Sequence, residues 1–261
     1  MKIVKSFLLL TSICTALLAQ TAALDSAPYK HGQDWVPLLN GRDLGGWHAR
    51  EAKQDGWLTT AMVGWDAAAP ERLNAKSGPG AIIINGSKGR TADLITAEKF
   101  GDVEVYLEFL IPRKSNSGVY VHGLYEVQIL DSHGAVNPGV HDCGAIYERW
   151  IDNKGVGGSP PRKNASRPAG EWQSFHILFQ APRFDAQGKK TADGRFVRLI
   201  HNGTLIQEDA VVEGPTRASL DGPEVPQGPL MIQGDHGPVA LRNVYIRPLK
   251  LGSASDQRKS Q

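Results

Sequence analysis

The stretch Tyr125 to Asp131, YEVQILD, sets a carboxylate and an amide two residues apart at Glu126 and Gln128, with a further carboxylate at Asp131. In an extended chain successive side chains point to opposite faces, so Tyr125, Val127 and Ile129 share one face while Glu126, Gln128 and Leu130 share the other. The same split recurs at Glu108 between Leu107 and Phe109, at Tyr120 and His122 against Val119 and Val121, and at His176 between Phe175 and Ile177. Any one of these reads as a solvent-facing position on an antiparallel strand. Together, Glu108, His122, Glu126, Gln128 and His176 supply two carboxylates, two imidazoles and an amide, a set from which a polar floor for a sugar can be built.

Tryptophan is the other residue type that meets sugars. Trp35, Trp47, Trp57, Trp65, Trp150 and Trp172 are spread over the chain, and such residues more often anchor a core than stack on a ligand. Trp150 lies within a long irregular stretch and is the one expected to touch a ligand. For metals no zinc spacing is present; His133 and His141 lie eight apart, near Asp131 and Asp142, and form a weak cluster. An oxygen-rich site for calcium or magnesium using Asp131, Asp142 or Glu126 is open. Cys143 has no nucleophile motif around it and reads as buried filler. The sequons at Asn85, Asn164 and Asn202 decide nothing.

The elements that must position these residues are strands. Short apolar or alternating runs cover 80–84, 103–111, 118–122, 125–130, 174–180, 196–201, 228–233 and 239–246, separated by Gly, Pro, Asn and Asp clusters. Helical periodicity over more than about ten residues is absent beyond the N-terminus. Asn40-Gly41, Asn85-Gly86 and Asn202-Gly203 supply the positive φ of tight turns, the last joining FVRLIH to TLIQE. Many short strands with such turns predict a β-sandwich or jelly roll. The stretch 131–171 is too long for a simple connection and is expected to be functional or disordered.

Residues 1–23 carry Lys2 and Lys5, an apolar run from Phe7 to Ala19 and a small-residue end, which predicts a secretory signal peptide. Cys14 follows Ile13, with Thr11 three positions before it, so no lipoprotein signal is expected. Lys2 and Lys5 account for the whole formal charge of +2, leaving a balanced mature chain with no footprint for nucleic acid or an anionic membrane. A small neutral ligand is the expected partner. One cysteine, Cys143, remains after export, so no internal disulfide can form. Residues 24–33 read as a lead-in, 34–250 as one domain, and 251–261 as a polar tail that stays disordered. Export to the periplasm is the expected destination.

The ordered motifs WVPLLNGRDLGGW (35–47), FGDVEVYLEF with NSGVYVHGLYEVQILDS (100–132), HDCGAIYERW (141–150), RPAGEWQSFHILFQAPRFDAQGKK (167–190), HNG (201–203) and GPLMIQGDHGPVALRNVYIRPL (228–249) resemble the 3-keto-disaccharide hydrolase domain family. The resemblance implies an all-β, concanavalin A-like jelly-roll sandwich of two antiparallel sheets, a substrate on the concave face, and action on glycosides already oxidised at C3. It also implies that Asn116, Glu126, Gln128, Asp131, Tyr147, His236 and Arg242 line the site. The chain departs from the family pattern at Leu124, where relatives often carry Arg. A C3 ketone acidifies the C2 proton, so a base can remove it and the C1 substituent can leave by β-elimination, followed by addition of water. Glu126 is then the expected base, His236 the acid for the leaving group, and Arg242 or a divalent cation the stabiliser of the enolate oxygen. Two alternatives stand beside this reading: a non-catalytic carbohydrate-binding module, and an ordinary endoglycosidase with Glu108 and Glu126 about 5 to 5.5 or about 6.5 to 9.5 Å apart.

Overall fold

The computed structural model describes residues 27–250; the expected signal peptide and the polar tail lie outside them. Residues 27–35 belong to a separate unit, in which Pro28–Lys30 forms one 3-10 turn. From Val36 onward the described chain is strands and loops, with one further 3-10 turn and no α-helix. No helix among the described residues is long and apolar enough to cross a membrane.

Two antiparallel sheets make the sandwich. The larger runs Thr204–Val212, Gly194–His201, Gln173–Gln180, Val103–Leu110, Ala240–Pro248, Ile82–Ile84 and Leu58–Thr60, with Val36–Pro37 also pairing with Ala240–Pro248. The smaller runs Tyr125–Leu130, Asn116–Val121, Met231–Ile232, Leu94–Thr96 and Trp47–Ala49. The alternation seen in the sequence decides what each sheet buries. Val105, Leu107 and Phe109 face Val119, Val121, Tyr125, Val127 and Ile129 across one continuous core. Phe109 and Phe175 lie 4.7 Å apart, and Phe179 lies 5.0 Å from Phe196. Each such buried side chain contributes roughly 1.5 to 3 kcal/mol through lost water contact, and with no disulfide this burial holds the domain.

The expected strands recur with ends shifted by a few residues, and Asn202 (φ 49°) and Gly203 (φ 79°) make the tight turn between the Gly194–His201 and Thr204–Val212 strands. Gly41 and Gly86 have positive φ, but Asn40 and Asn85 do not. Asn85 is buried and spends its amide on other backbone groups, described below. Short strands at Trp47–Ala49, Leu58–Thr60 and Leu94–Thr96 escaped the sequence reading because three residues give too little periodicity. The 131–171 stretch is ordered around a small hairpin, Arg149–Ile151 with Lys154–Val156. It also lies along the Tyr125–Leu130 strand: Gln128 N–H donates to Ala145 O (2.9 Å), Gly144 N–H to Gln128 O (2.8 Å) and Tyr147 N–H to Glu126 O (3.0 Å). This main-chain pairing covers what would otherwise be an open sheet edge.

Candidate active site

The candidate site lies on the outward face of the smaller sheet. The core-facing neighbours of Glu126 and Gln128 turn these two outward, and the strand register brings further residues beside them: Glu126 opposite Tyr120, Gln128 opposite Gly118, and Tyr120 opposite Met231. Gln233 N–H donates to Gly118 O (2.9 Å), which extends the polar row. Gly118 is required here for space. A Cβ at this position would lie 2.2 Å from Glu126 Oε1, so only glycine lets the carboxyl fold across the neighbouring strand toward Gln233. The Oε1 atoms of Gln128 and Gln233 are buried without a hydrogen-bond partner.

A strap, Pro215 to Asp221, lies over this floor. Thr216 N–H donates to Leu124 O (2.9 Å), the Thr216 hydroxyl accepts Glu126 N–H (3.1 Å), and Leu220 N–H donates to Gly123 O (2.8 Å). Tyr120 hydroxyl donates to Arg217 O (3.1 Å). From the opposite rim Arg50 donates to Ala218 O and Ser219 O, both at 3.2 Å, and pairs with Asp93 at 3.4 Å. Between rim and strap opens a polar cavity of about 860 Å³, lined by Arg50, Asp93, Trp150, Arg217, Gln233 and Asp235 among others. Its size is that of a small-molecule site. The Arg217 guanidinium lies 3.8 Å over the Trp150 ring, forming one wall.

Electrostatics follow from burial in a group of carboxyls. Glu126 is pushed up to about 8, first by loss of water and then by the charges of Asp93 and Asp235; the adjacent Tyr120 hydroxyl works the other way. Asp93 is also raised by burial, against the pull of Gly234 N–H and Arg50. Tyr147 is raised by burial and by the Glu126 charge. Asp235 Oδ1 meets His236 Nδ1 at 2.5 Å, and both side chains are exposed. The loop that presents this pair is held from beneath by Asn85. Its Nδ2 donates to Gly234 O (2.9 Å) and Gly237 O (2.8 Å), while its Oδ1 accepts Val239 N–H (2.7 Å). Gly89 (φ 55°) packs so closely beneath that a Cβ there would fall 1.9 Å from Gly237 C.

The structure brings some of the expected site residues together and separates others. Asn116, Glu126 and Gln128 share the outward face of the smaller sheet, with Tyr147, Trp150 and His236 around its edges. Glu126 is 3% exposed, well below the half-wetted position expected, and its carboxyl lies over Gly118 beside the Tyr120 hydroxyl. Glu108, His176 and Arg242 do not join it. Leu107, Phe109, Phe175 and Ile177 fill the core, so their neighbours point out of the far side of the larger sheet. There Arg242 Nε donates to Glu108 Oε2 (2.6 Å) and stacks 4.1 Å over Trp172, while His176 meets Glu104 at 2.6 Å. The core thus separates Glu108 from Glu126, and they cannot flank one glycosidic bond.

His122 also departs from the expected floor. Its φ of 58° ends the strand alternation and swings the ring inward, 5.2 Å from Phe179 and 6.1 Å from Tyr125. Burial lowers its pKa. Asp131 accepts Lys114 N–H (3.0 Å) and lines a different cavity with Trp65, Arg113 and His133. Asp142 accepts Gly139 N–H (2.7 Å). Among the described residues no three His, Cys, Asp or Glu side chains converge to hold a metal. Leu124 belongs to the core, so its departure from the family pattern does not change the cavity wall. Cys143 is buried and its thiol is pushed up to about 12, which suits filler rather than a nucleophile. Trp47 and Trp57 are core anchors whose indole N–H groups donate to Leu38 O (2.7 Å) and Ala92 O (2.8 Å).

Arg50, Asp93 and Arg217 were missed. They sit in loops where no periodicity marks a polar residue as functional. Asp235 was within reach, since it precedes His236 in the DHG motif.

A solved structure from Parabacteroides distasonis with the description "putative glycosyl hydrolase" is 27% identical, with a TM-score of 0.58 over 83% of this chain and 84% of that one. A second from the same organism, with the same description, is 18% identical with a TM-score of 0.53 over 84% and 95%, and shares the fold. No curated protein matches. These likenesses and the family match support a carbohydrate-active enzyme. Residues 34–247 match the 3-keto-alpha-glucoside-1,2-lyase-like domain, and the chain belongs to that family.

Proposed function

We propose that this protein cleaves 3-keto-glycosides by β-elimination across C1 and C2, with addition of water completing a hydrolysis. The observation that carries the reading is Glu126: a buried carboxyl on the outward face of the smaller sheet, its pKa lifted to about 8 by burial and by the charges of Asp93 and Asp235, which line the open polar cavity. A base whose pKa lies near working pH combines a usable ionised fraction with a strong proton affinity. Glu126 takes the C2 proton. The C2–H electrons pass into an enolate, C2=C3–O⁻; as C3=O re-forms, that pair makes the C1=C2 bond, the C1–O bond breaks, and the leaving oxygen takes a proton from His236. The enolate oxygen at C3 needs a cation, and Arg242 lies across the core, so Arg217 takes that role from the cavity wall.

Purified protein incubated with a panel of 3-keto-glucosides, with and without chelator, tests this. Release of the aglycone together with the ultraviolet absorbance of a C1=C2–C3=O enone or its hydrated ketone is expected, while unoxidised glucosides remain intact. Binding of glycans without cleavage of any 3-keto substrate would make the protein a binding module instead. A chelator effect would bring back the divalent cation as enolate partner. With a signal peptide at 1–23, we propose that the reaction takes place outside the cytoplasm.

A further inference from the structure

The hydroxyl of Tyr120 has a single proton and two acceptors within its reach. Tyr120 is 1% exposed and stands directly opposite Glu126 in the strand pair. Its hydroxyl donates to Arg217 O in the strap at 3.1 Å, and it lies beside the Glu126 carboxyl, whose ionised form it stabilises by a side-chain hydrogen bond. One proton cannot serve both. With Glu126 neutral, the carboxyl donates to the Tyr120 oxygen and the Tyr120 proton stays on Arg217 O. With Glu126 ionised, the proton turns to the carboxylate, because a charged acceptor draws a hydrogen bond more strongly than a neutral carbonyl.

The peptide at the other end of that bond is strained. Ala218, the next residue in the strap, has a φ of 63°, a left-handed conformation that a residue with a side chain keeps only where its surroundings enforce it. Tyr120 holds the Arg217 carbonyl, and Arg50 holds Ala218 O and Ser219 O, both at 3.2 Å. The ends of the strap are fixed separately, by Thr216 N–H on Leu124 O (2.9 Å) and Leu220 N–H on Gly123 O (2.8 Å). Withdrawal of the Tyr120 hydroxyl therefore frees the middle alone. That middle carries the Arg217 guanidinium, 3.8 Å over the Trp150 ring at the cavity wall. Asp93 and Asp235 face Glu126 from loops and Tyr147 from the stretch beside its strand, all acting through charge, whereas Tyr120 reaches both Glu126 and the strap.

We propose that Tyr120 is a positioning residue that ties Arg217 to the protonation of Glu126: it releases the Arg217–Ala218 peptide while Glu126 is an ionised base and clamps it once Glu126 has taken a proton. This rests on the 3-keto-glycoside reading, in which Glu126 takes the C2 proton and Arg217 meets the enolate oxygen. Proton transfer then fixes Arg217 at the stage when negative charge arrives on the C3 oxygen. Tyr120 itself keeps its proton throughout, since burial and the Glu126 charge push its pKa far above the usual phenol range.

The test follows two carbon-13 shifts in ligand-free protein from about pH 5 to about pH 10, the Glu126 carboxyl and the Arg217 carbonyl, across the range in which a raised carboxyl titrates. In wild type the Arg217 carbonyl is expected to shift with the same midpoint as Glu126. In Tyr120→Phe that step is lost, and the Glu126 midpoint rises by about one unit because its carboxylate has lost a donor. In Glu126→Gln the carbonyl keeps its low-pH shift throughout, a comparison that stands even where Tyr120→Phe does not fold. A carbonyl that does not titrate in wild type, or that still titrates in either variant, would overturn the coupling. With 3-keto-glucoside, Tyr120→Phe is expected to lower kcat about tenfold with KM within about twofold of wild type, since the lost contact belongs to the enolate stage. The rise of kcat/KM with pH moves up with the Glu126 midpoint, which a merely structural role would not produce. If wild type turns over no 3-keto-glucoside the reaction falls, and the two carbon shifts still decide the coupling.

Discussion

At the scale of single residues the site depends on one carboxyl kept dry. Glu126→Gln is nearly isosteric and removes only the proton-accepting charge. It is expected to lower the elimination rate by about 10² to 10⁴ and to abolish exchange of the C2 proton with deuterated solvent, read by NMR. Retained exchange would move the base to another group. Gly118→Ala tests the same carboxyl from beneath: a Cβ 2.2 Å from Glu126 Oε1 must displace it, so activity should fall while the neighbouring strands stay paired.

The pH dependence has a definite sign. Glu126 holds its proton to about 8 in the folded protein but releases it near 4.5 when unfolded, so the native state binds more protons between these values. Stability therefore falls as pH rises through that window, and the loss on ionisation amounts to about 5 kcal/mol at most, at about 1.4 kcal/mol per unit. Denaturant melts of Glu126→Gln against wild type should show the mutant gaining on wild type from pH 5 to 9. Parallel curves would mean that the carboxyl is not held neutral by its surroundings.

At the scale of elements the strap and the Gly234–Gly237 loop set what the floor residues can reach. Arg50 joins rim to strap through two carbonyls and Asp93, so Arg50→Ala is expected to loosen residues 215–221 and speed amide hydrogen exchange there, with little change in the core strands. Asn85 makes three buried hydrogen bonds to the other loop. Replacing it with Ala leaves Gly234 O, Gly237 O and Val239 N–H without their partner, at roughly 1 to 3 kcal/mol for each group that finds no water. The Asp235–His236 pair should then lose its fixed place, lowering kcat more than it raises KM.

At the scale of the whole molecule two polar faces lie on opposite sides of one apolar core. The Glu108–Arg242 pair belongs to the far face, beside Trp172. Glu108→Gln is expected to cost about 1 to 3 kcal/mol in denaturant unfolding, through the weakened contact to Arg242, and to leave the turnover of 3-keto-glucosides within twofold of wild type. A hundredfold loss of turnover would contradict this placement.

Much of this architecture is local in origin. Alternation along YEVQILD, LEFL and SFHILF dictates which side chains enter the core, since burial of the apolar set decides the register of a strand. Asn202-Gly203 dictates its turn because few residues tolerate two successive positive φ angles. Glu126 and Gln128 were legible as outward-facing partners for the same reason. Alternation states that a residue points away from the core, but a sandwich has two outer faces, and only the order of strands tells which one. That order placed Glu108, His176 and Arg242 across the molecule from Glu126. It also brought in Asp93, Arg217 and Asp235 from loops, where no period marks a functional residue. His122 left the floor through a single backbone angle, and the Glu126 main chain is held by Thr216, 90 residues later in the chain. Solvation and charge proximity are set by long-range packing, so the raised pKa of Glu126 was a tertiary decision about a residue already visible in the sequence.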